Sequence, residues 1–179
     1  IKIGKIRNIG LSNETPWGTM EFVHQHKDKD LPKMQSIQNA YNLLNRIFEF
    51  GGSEIAFREN VGLLAYSPLA QGYLTGKYQN GSLPKGSRKE LFDRLQRYEG
   101  AGSEDAIESY LNIAKKYNID PSQLANQFVT TRPFVTSNII GATSMEQLKL
   151  AVTSIEVNLT EEIENDIERA FQKHGNIAS

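Results

Sequence analysis

The chain has 179 residues, 39% of them hydrophobic and 23% charged, an ordinary globular composition for one domain with a buried core rather than a disordered segment. Twenty basic residues against 21 acidic ones leave a formal charge of -1, so there is no electrostatic case for a nucleic-acid or membrane partner, and a small molecule is expected instead. The absence of cysteine rules out disulfides, a thiolate nucleophile and Cys-based metal sites, in keeping with a cytoplasmic location.

Ile1 to Ile6 lacks the long apolar core of a signal peptide, and no apolar run approaches the ~20 residues of a membrane span. Gly4-Lys5 reads as the end of an earlier helix, so a preceding segment is expected. Ile6 to Leu11 reads as a short strand. Thr15-Pro16 then supplies an N-cap and a proline at the first helical position, with Met20 and Val23 on one face. Met34 to Asn39 reads as a second strand and about Asn45 to Asn60 as its helix. Val61 to Tyr66 is a continuous apolar run, as expected of a parallel strand covered on both faces.

A long loop follows, about Ser67 to Gly102, rich in Gly, Pro, Lys and Arg, with a short helical piece expected near Leu91 to Arg97. Loops of that length in a compact domain are usually functional or disordered. Ser103 and Asp105 open a helix carrying Ile107, Leu111, Ala114 and Tyr117 at helical spacing. Asp120-Pro121 opens another, closing before Pro133. Val135 to Ile140 is a fourth strand, and Thr143 with Glu146 forms a capping box for a helix through about Val152. The last helix follows Thr160, with Ile163, Ile167, Ala170 and Phe171 inward.

Four β-α units imply a parallel sheet, either open and doubly wound or part of a barrel; the pattern alone does not choose. In both, ligands sit at the C-terminal ends of the strands. Those ends read Ser12-Asn13-Glu14, Gln38-Asn39, Tyr66-Ser67-Pro68-Leu69 and Gly141-Ala142-Thr143. Amides and hydroxyls suit a carboxamide or a sugar phosphate, and Tyr66 offers a flat face for an aromatic ring. The histidines His24, His26 and His174 have no metal-ligand spacing, and Glu161 with Glu162 reads as helix-start acids rather than a catalytic pair. Gly72 to Lys77 fails the P-loop spacing.

Four of these segments together resemble the aldo-keto reductases. Gly4-Lys5-Ile6-Arg7-Asn8-Ile9-Gly10-Leu11-Ser12-Asn13 is similar to the fifth strand of that family's barrel, and Ile37-Gln38-Asn39-Ala40-Tyr41-Asn42-Leu43-Leu44 to its sixth. Ala65-Tyr66-Ser67-Pro68-Leu69-Ala70-Gln71-Gly72, followed by Leu74-Thr75-Gly76-Lys77-Tyr78, resembles the seventh. Ile140-Gly141-Ala142-Thr143-Ser144-Met145-Glu146-Gln147-Leu148 resembles the eighth. The branch most resembled is that of the bacterial Tas-type reductases, which share the long loop with the potassium-channel β subunits.

The resemblance implies that residues 1–179 are the C-terminal half of one (β/α)8 TIM barrel, β5 to β8 in family terms, with the N-terminal half absent and a long loop after the seventh strand. It implies NADP(H) as cofactor. Ser12, Asn13 and Gln38 would hold the nicotinamide carboxamide and Tyr66 would stack on its ring. Ser67, Leu69, Gly72 and Lys77 would meet the pyrophosphate, Arg88 the 2′-phosphate, and Thr143 and Gln147 the adenosine end. Backbone donors at a helix start suit phosphate, and Arg suits a dianion. Leu150 and Ala151 depart from the polar pair with which the family brackets adenine.

The family's catalytic Asp, Tyr, Lys and His come from its first four strands, which nothing here resembles. The chain alone is therefore expected to bind cofactor but not to reduce a carbonyl substrate. The competing expectation is a non-catalytic nucleotide-binding module or regulatory subunit like the channel β subunits. The unpaired sheet edges of a half-barrel predict self-association or pairing with the missing half.

Overall fold

The computed structural model describes residues 1–29, 31–92 and 96–178. Its framework is four strands, β1 (Ile9–Ser12), β2 (Met34–Ala40), β3 (Gly62–Tyr66) and β4 (Val135–Ile139). All neighbouring pairs are parallel and the order across the sheet is the order along the chain. That order is the one consecutive strands of a barrel take. A doubly wound sheet must reverse its strand order to cover both faces, whereas consecutive right-handed crossovers place every helix on the same face.

The burial pattern agrees. Ile37, Leu63 and Ala65 point to the helix side and are buried with Val23, Ala56, Leu124 and Phe128. On the opposite face Gly10, Ser12, Gln38, Ser137 and Ile139 are exposed, and Ser36, Leu64 and Tyr66 are half-buried. The apolar run ending at Tyr66 is thus covered on one face, not on both. The four-stranded α/β sheet is consistent with part of a (β/α)8 barrel.

Seven helices complete the described chain: α1 (Pro16–Lys29), α2 (Gly52–Glu59), α3 (Arg88–Phe92), α4 (Ser103–Lys116), α5 (Pro121–Thr130), α6 (Met145–Thr153) and α7 (Glu161–His174). Thr15 caps α1 by accepting the Gly18 amide at 3.1 Å, and Asp120 caps α5 by accepting from Ser122 at 2.7 Å. Two boundaries differ from expectation. The region expected as one helix from about Asn45 to Asn60 is a 3₁₀ turn, Ile47–Glu49, then α2; Gly51 at φ 100° separates them, a conformation no helix interior accepts. α4 opens at Ser103 as expected, with Gly102 in the left-handed region before it. At α6 the cap is Ser144, not Thr143: its hydroxyl accepts the Gln147 amide at 3.2 Å, while Gln147 Oε1 accepts from the Thr143 amide at 2.9 Å.

In the long loop, the helical piece expected near Leu91 to Arg97 is split between α3 and a 3₁₀ turn at Gln96–Tyr98; residues 93–95 between them lie outside the described residues. The first strand also starts later than expected, at Ile9, where its pairing with Met34 begins.

The core is locked at one end by Arg46, whose guanidinium lies 3.9 Å from the Phe171 ring centroid and pairs with Glu49 and Glu168 at 2.8 and 2.9 Å. Beside it the Ile177 and Ala178 amides both donate to the Leu44 carbonyl, at 3.0 and 3.1 Å, and the Arg46 amide donates to Asn176 Oδ1 at 2.6 Å. The chain after α7 is thereby tied to the turn that follows β2.

Candidate functional site

The parallel register brings the first group of candidate residues together. Ser12 lies opposite Gln38, Gln38 opposite Leu64, and Tyr66 two residues beyond Leu64 on the same face, as the period of a strand requires. Asn13, immediately after β1, has φ 53°, a conformation Asn tolerates better than most residues. Its amide donates to the Gln38 carbonyl at 2.9 Å, extending the ladder by one residue. The Tyr66 hydroxyl donates to Asn13 Oδ1 at 2.8 Å, and Arg97 Nη1 donates to that hydroxyl at 3.2 Å. The bond to Tyr66 raises the affinity of Arg97 for its proton above the ordinary guanidinium range.

Behind this edge a cleft of about 410 Å³ runs down between the strand ends and α1 and α2, lined by Asn13, Thr19, Asn39, Phe48, Tyr66 and Arg97 among others. Asn39 points to the helix side, donating to the Glu14 carbonyl at 3.1 Å, and its Oδ1 is buried without a hydrogen-bond partner.

The second group occupies one tightly wound loop. Ser67, Ala70 and Gln71 all have positive φ, at 58°, 47° and 59°, and Gly72 follows at 103°. The Ala70 amide donates to the Ser67 carbonyl at 2.9 Å and the Gly72 amide to the Leu69 carbonyl at 2.8 Å. Gly72 is needed for space as well as for conformation: a Cβ there would stand 2.8 Å from Lys77 Cε and 3.0 Å from Lys77 Nζ. Lys77 therefore folds back over the glycine, its ammonium 5.1 Å from the Tyr78 ring centroid. Lys77 brings a cation to this loop, while the Ala70, Gly72 and Leu74 amides are already given to carbonyls within it.

The remaining candidates stand apart. Thr143 and Gln147 are bonded to each other, Gln147 Oε1 accepting from both the amide and the hydroxyl of Thr143. Leu150 and Ala151, one turn on, are half-buried. Arg88 opens α3 and is exposed; no described contact joins it to the other candidates.

Sequence reasoning missed Arg97, Asn42 and Tyr98. Asn42 is wholly buried, donating to the Ser67 carbonyl and to the Tyr98 hydroxyl, both at 2.9 Å. A polar residue inside the otherwise apolar Tyr41-Asn42-Leu43-Leu44 was the available signal for Asn42, since buried amides need partners. Tyr98 and Arg97 carry no such signal in a loop rich in basic residues.

The Aldo/keto reductase family model matches residues 1–171. The chain belongs to the aldo/keto reductase family. That is a family of oxidoreductases working with a nicotinamide cofactor. The chain is 47% identical over 171 residues to Protein tas of Escherichia coli (strain K12), covering 96% of this chain and 49% of that protein. It is 33% identical over 168 residues to L-glyceraldehyde 3-phosphate reductase of the same organism, covering 89% and 47%. It is also 33% identical over 174 residues to a putative voltage-gated potassium channel subunit beta of Schizosaccharomyces pombe (strain 972 / ATCC 24843), covering 91% and 49%. The chain thus spans about half the length of these curated relatives.

Among the described residues no helix is long and apolar enough to cross a membrane, and no group of three or more His, Cys, Asp or Glu side chains could hold a metal ion.

Proposed function

We propose that this aldo/keto reductase chain is the C-terminal, NADP(H)-binding half of a cytoplasmic carbonyl reductase barrel, residues 1–179 forming its last four β-α units. The observation that carries this reading is that Ser12, Gln38 and Tyr66 share one sheet face, with Asn13 at its end and the loop that seats Lys77 over Gly72 following Tyr66 in the chain. Polar side chains on the inner face of a sheet are costly to place there unless a ligand or solvent meets them.

The residues fit the group. Ser12, Asn13 and Gln38 offer the donors and acceptors a carboxamide needs, and Tyr66 offers a ring face. Lys77, folded over Gly72, offers a cation to a pyrophosphate at the Ser67 to Gly72 loop. Arg88 suits a 2′-phosphate, which favours NADP(H) over NAD(H). Thr143 and Gln147 would take the adenosine end, with Leu150 and Ala151 offering it little polar contact. The cofactor supplies hydride to a carbonyl substrate; these residues bind it and hold its ring in place, a contribution of positioning rather than of acid–base chemistry. The proton donor of the full barrel lies outside this chain, so the chain by itself is inactive.

Fluorescence titration tests the binding claim: NADPH emission is expected to change on addition of the chain and NADH emission to respond at higher concentration. Absence of any change with NADPH overturns the reading. Measurable NADPH oxidation with an aldehyde by the purified chain overturns the claim of inactivity. A second reading, a non-catalytic nucleotide-binding subunit, is favoured by the likeness to the putative channel β subunit. The two separate when the chain is expressed together with the N-terminal half of a Tas-type reductase: recovered turnover supports the enzyme.

A further inference from the structure

We infer that Asn42 and Tyr98 form a latch that holds the two ends of the phosphate-binding loop together, making both positioning residues for the bound dinucleotide. The cofactor it positions rests on the function proposed above; the latch itself rests on the geometry of this chain.

Asn42 is a rigid centre. Its backbone is pinned by reciprocal bonds with Asn45, amide to carbonyl in both directions at 3.0 Å. Its side chain is fully covered, and Oδ1 accepts the Leu44 amide at 3.0 Å, which orients the amide plane. Nδ2 then has two hydrogens to give, and both are used. One goes to the carbonyl of Ser67, the first residue after β3; the other goes to the hydroxyl of Tyr98, where the long loop returns. Three of the four hydrogen-bonding positions of the amide are filled, with both donors committed.

At the Ser67 end the bond supports a backbone that L-residues avoid. Ser67 has φ 58°, which for a non-glycine residue persists only when its surroundings over-determine it. Its carbonyl receives two donors, Asn42 Nδ2 and the Ala70 amide, so the orientation of this peptide, from which Leu69, Gly72 and Lys77 follow, is set by Asn42. At the other end Tyr98 is 1% exposed, with its ring 6.3 Å from that of Tyr73 on the phosphate side of the loop. Burial holds its hydroxyl protonated above the ordinary tyrosine range, so it remains neutral across physiological pH. Arg97, adjacent, is thereby brought to the Tyr66 hydroxyl. One buried amide links the phosphate loop, the return of the long loop and, through Arg97, the shelf on which the nicotinamide would stack.

A latch of this kind acts on release. The bond to Tyr98 joins two neutral groups, weak enough to open and close repeatedly, and its loss is expected to raise the escape rate of a bound dinucleotide roughly three- to tenfold. Tyr98→Phe removes the hydroxyl and keeps the ring, and it is the test variant; Asn42→Asp, which loses both donors, is the stronger one but places a carboxylate in the core.

Two measurements on the full 179-residue chain separate the latch from the cofactor assignment. Without ligand, hydrogen exchange at the Ala70, Gly72 and Leu74 amides is expected to quicken in Tyr98→Phe, while the β2 and β3 amides exchange as before. Unchanged exchange in the loop overturns the latch, whatever the chain binds. With NADPH, stopped-flow displacement is expected to show faster dissociation from Tyr98→Phe and an unchanged association rate. Wild-type dissociation kinetics in that variant overturn its role toward the cofactor. If the wild-type chain binds no NADPH while loop exchange still quickens, the cofactor reading fails and the latch stands.

Discussion

The Tyr66 hydroxyl donates to Asn13 Oδ1 at 2.8 Å, joining the ends of two strands that are not neighbours in the sheet. The acceptor proposed for the nicotinamide carboxamide is therefore already in use, and Tyr66 has two separable parts, a ring face and a hydroxyl. Tyr66→Ala is expected to weaken NADPH binding about tenfold through loss of stacking. Tyr66→Phe, which keeps the ring and frees Asn13, should bind within about twofold of wild type. Fluorescence titration of the three proteins checks this, and equal losses in both variants would show that the ring face contributes nothing.

Gly72 and Gly86 make a matched pair. Both have positive φ, 103° and 74°, but a Cβ at Gly72 meets Lys77 whereas one at Gly86 meets nothing within 4 Å. Alanine at either position costs about 1–2 kcal/mol of backbone strain. Only Gly72→Ala also displaces Lys77. We expect similar urea midpoints for the two variants and a selective loss of NADPH affinity in Gly72→Ala.

Asp166 accepts from Lys116 Nζ and from the Tyr117 hydroxyl, both at 2.7 Å, and pairs with Arg169. These bonds, that of Lys116 foremost, hold its carboxyl well below the usual aspartate range. A depressed folded pKa gives stability that is complete above the unfolded value, about 3.9, and is lost as pH falls below it toward the folded one. Because Lys116 and Arg169 are mostly exposed, the effect is small. Asp166→Asn should melt no more than about 4 °C below wild type at pH 7. The gap should narrow steadily in scans below pH 4. A gap independent of pH would mean that packing, not charge, links α4 to α7.

Both outer strands of the sheet carry unpaired edges, and the flanks beside them are apolar: Trp17 and Phe22 on α1, Met145, Val152 and Ile155 at and after α6 are exposed. Long exposed edges with apolar borders recruit other chains. Light scattering behind size exclusion is expected to give a mass of two or more chains at micromolar concentration. A monodisperse monomer would contradict it.

Much of the fold was legible because its signals are local. Thr15-Pro16 and Asp120-Pro121 start helices by capping chemistry that needs no tertiary context, and the observed α1 and α5 begin at those prolines. The spacing of Ile163, Ile167 and Ala170 marks a buried helix face, and all three are buried. What failed was partly backbone detail and partly contacts distant in sequence. Gly51 at φ 100° separates the 3₁₀ turn from α2, and the α6 cap shifts by one residue because the Ser144 hydroxyl accepts the Gln147 amide. The joining of Ser12, Gln38 and Tyr66 into one row is a matter of strand register, which strand-end motifs alone do not specify. Asn42 and Tyr98 were invisible for the same reason: their meaning lies in a bond between residues 56 positions apart.

The tie between the last described residues and the turn after β2 bears on how the molecule is made. Ile177 and Ala178 donate to Leu44, and Asn176 accepts from Arg46, so the segment that carries Asn42 gains support from a stretch synthesised 130 residues later. On a ribosome emitting roughly 5–20 residues per second, β1 to β3 are free to pair several seconds before that support exists. During that interval the turn after β2 lacks its outer brace, and its buried polar groups must find other partners.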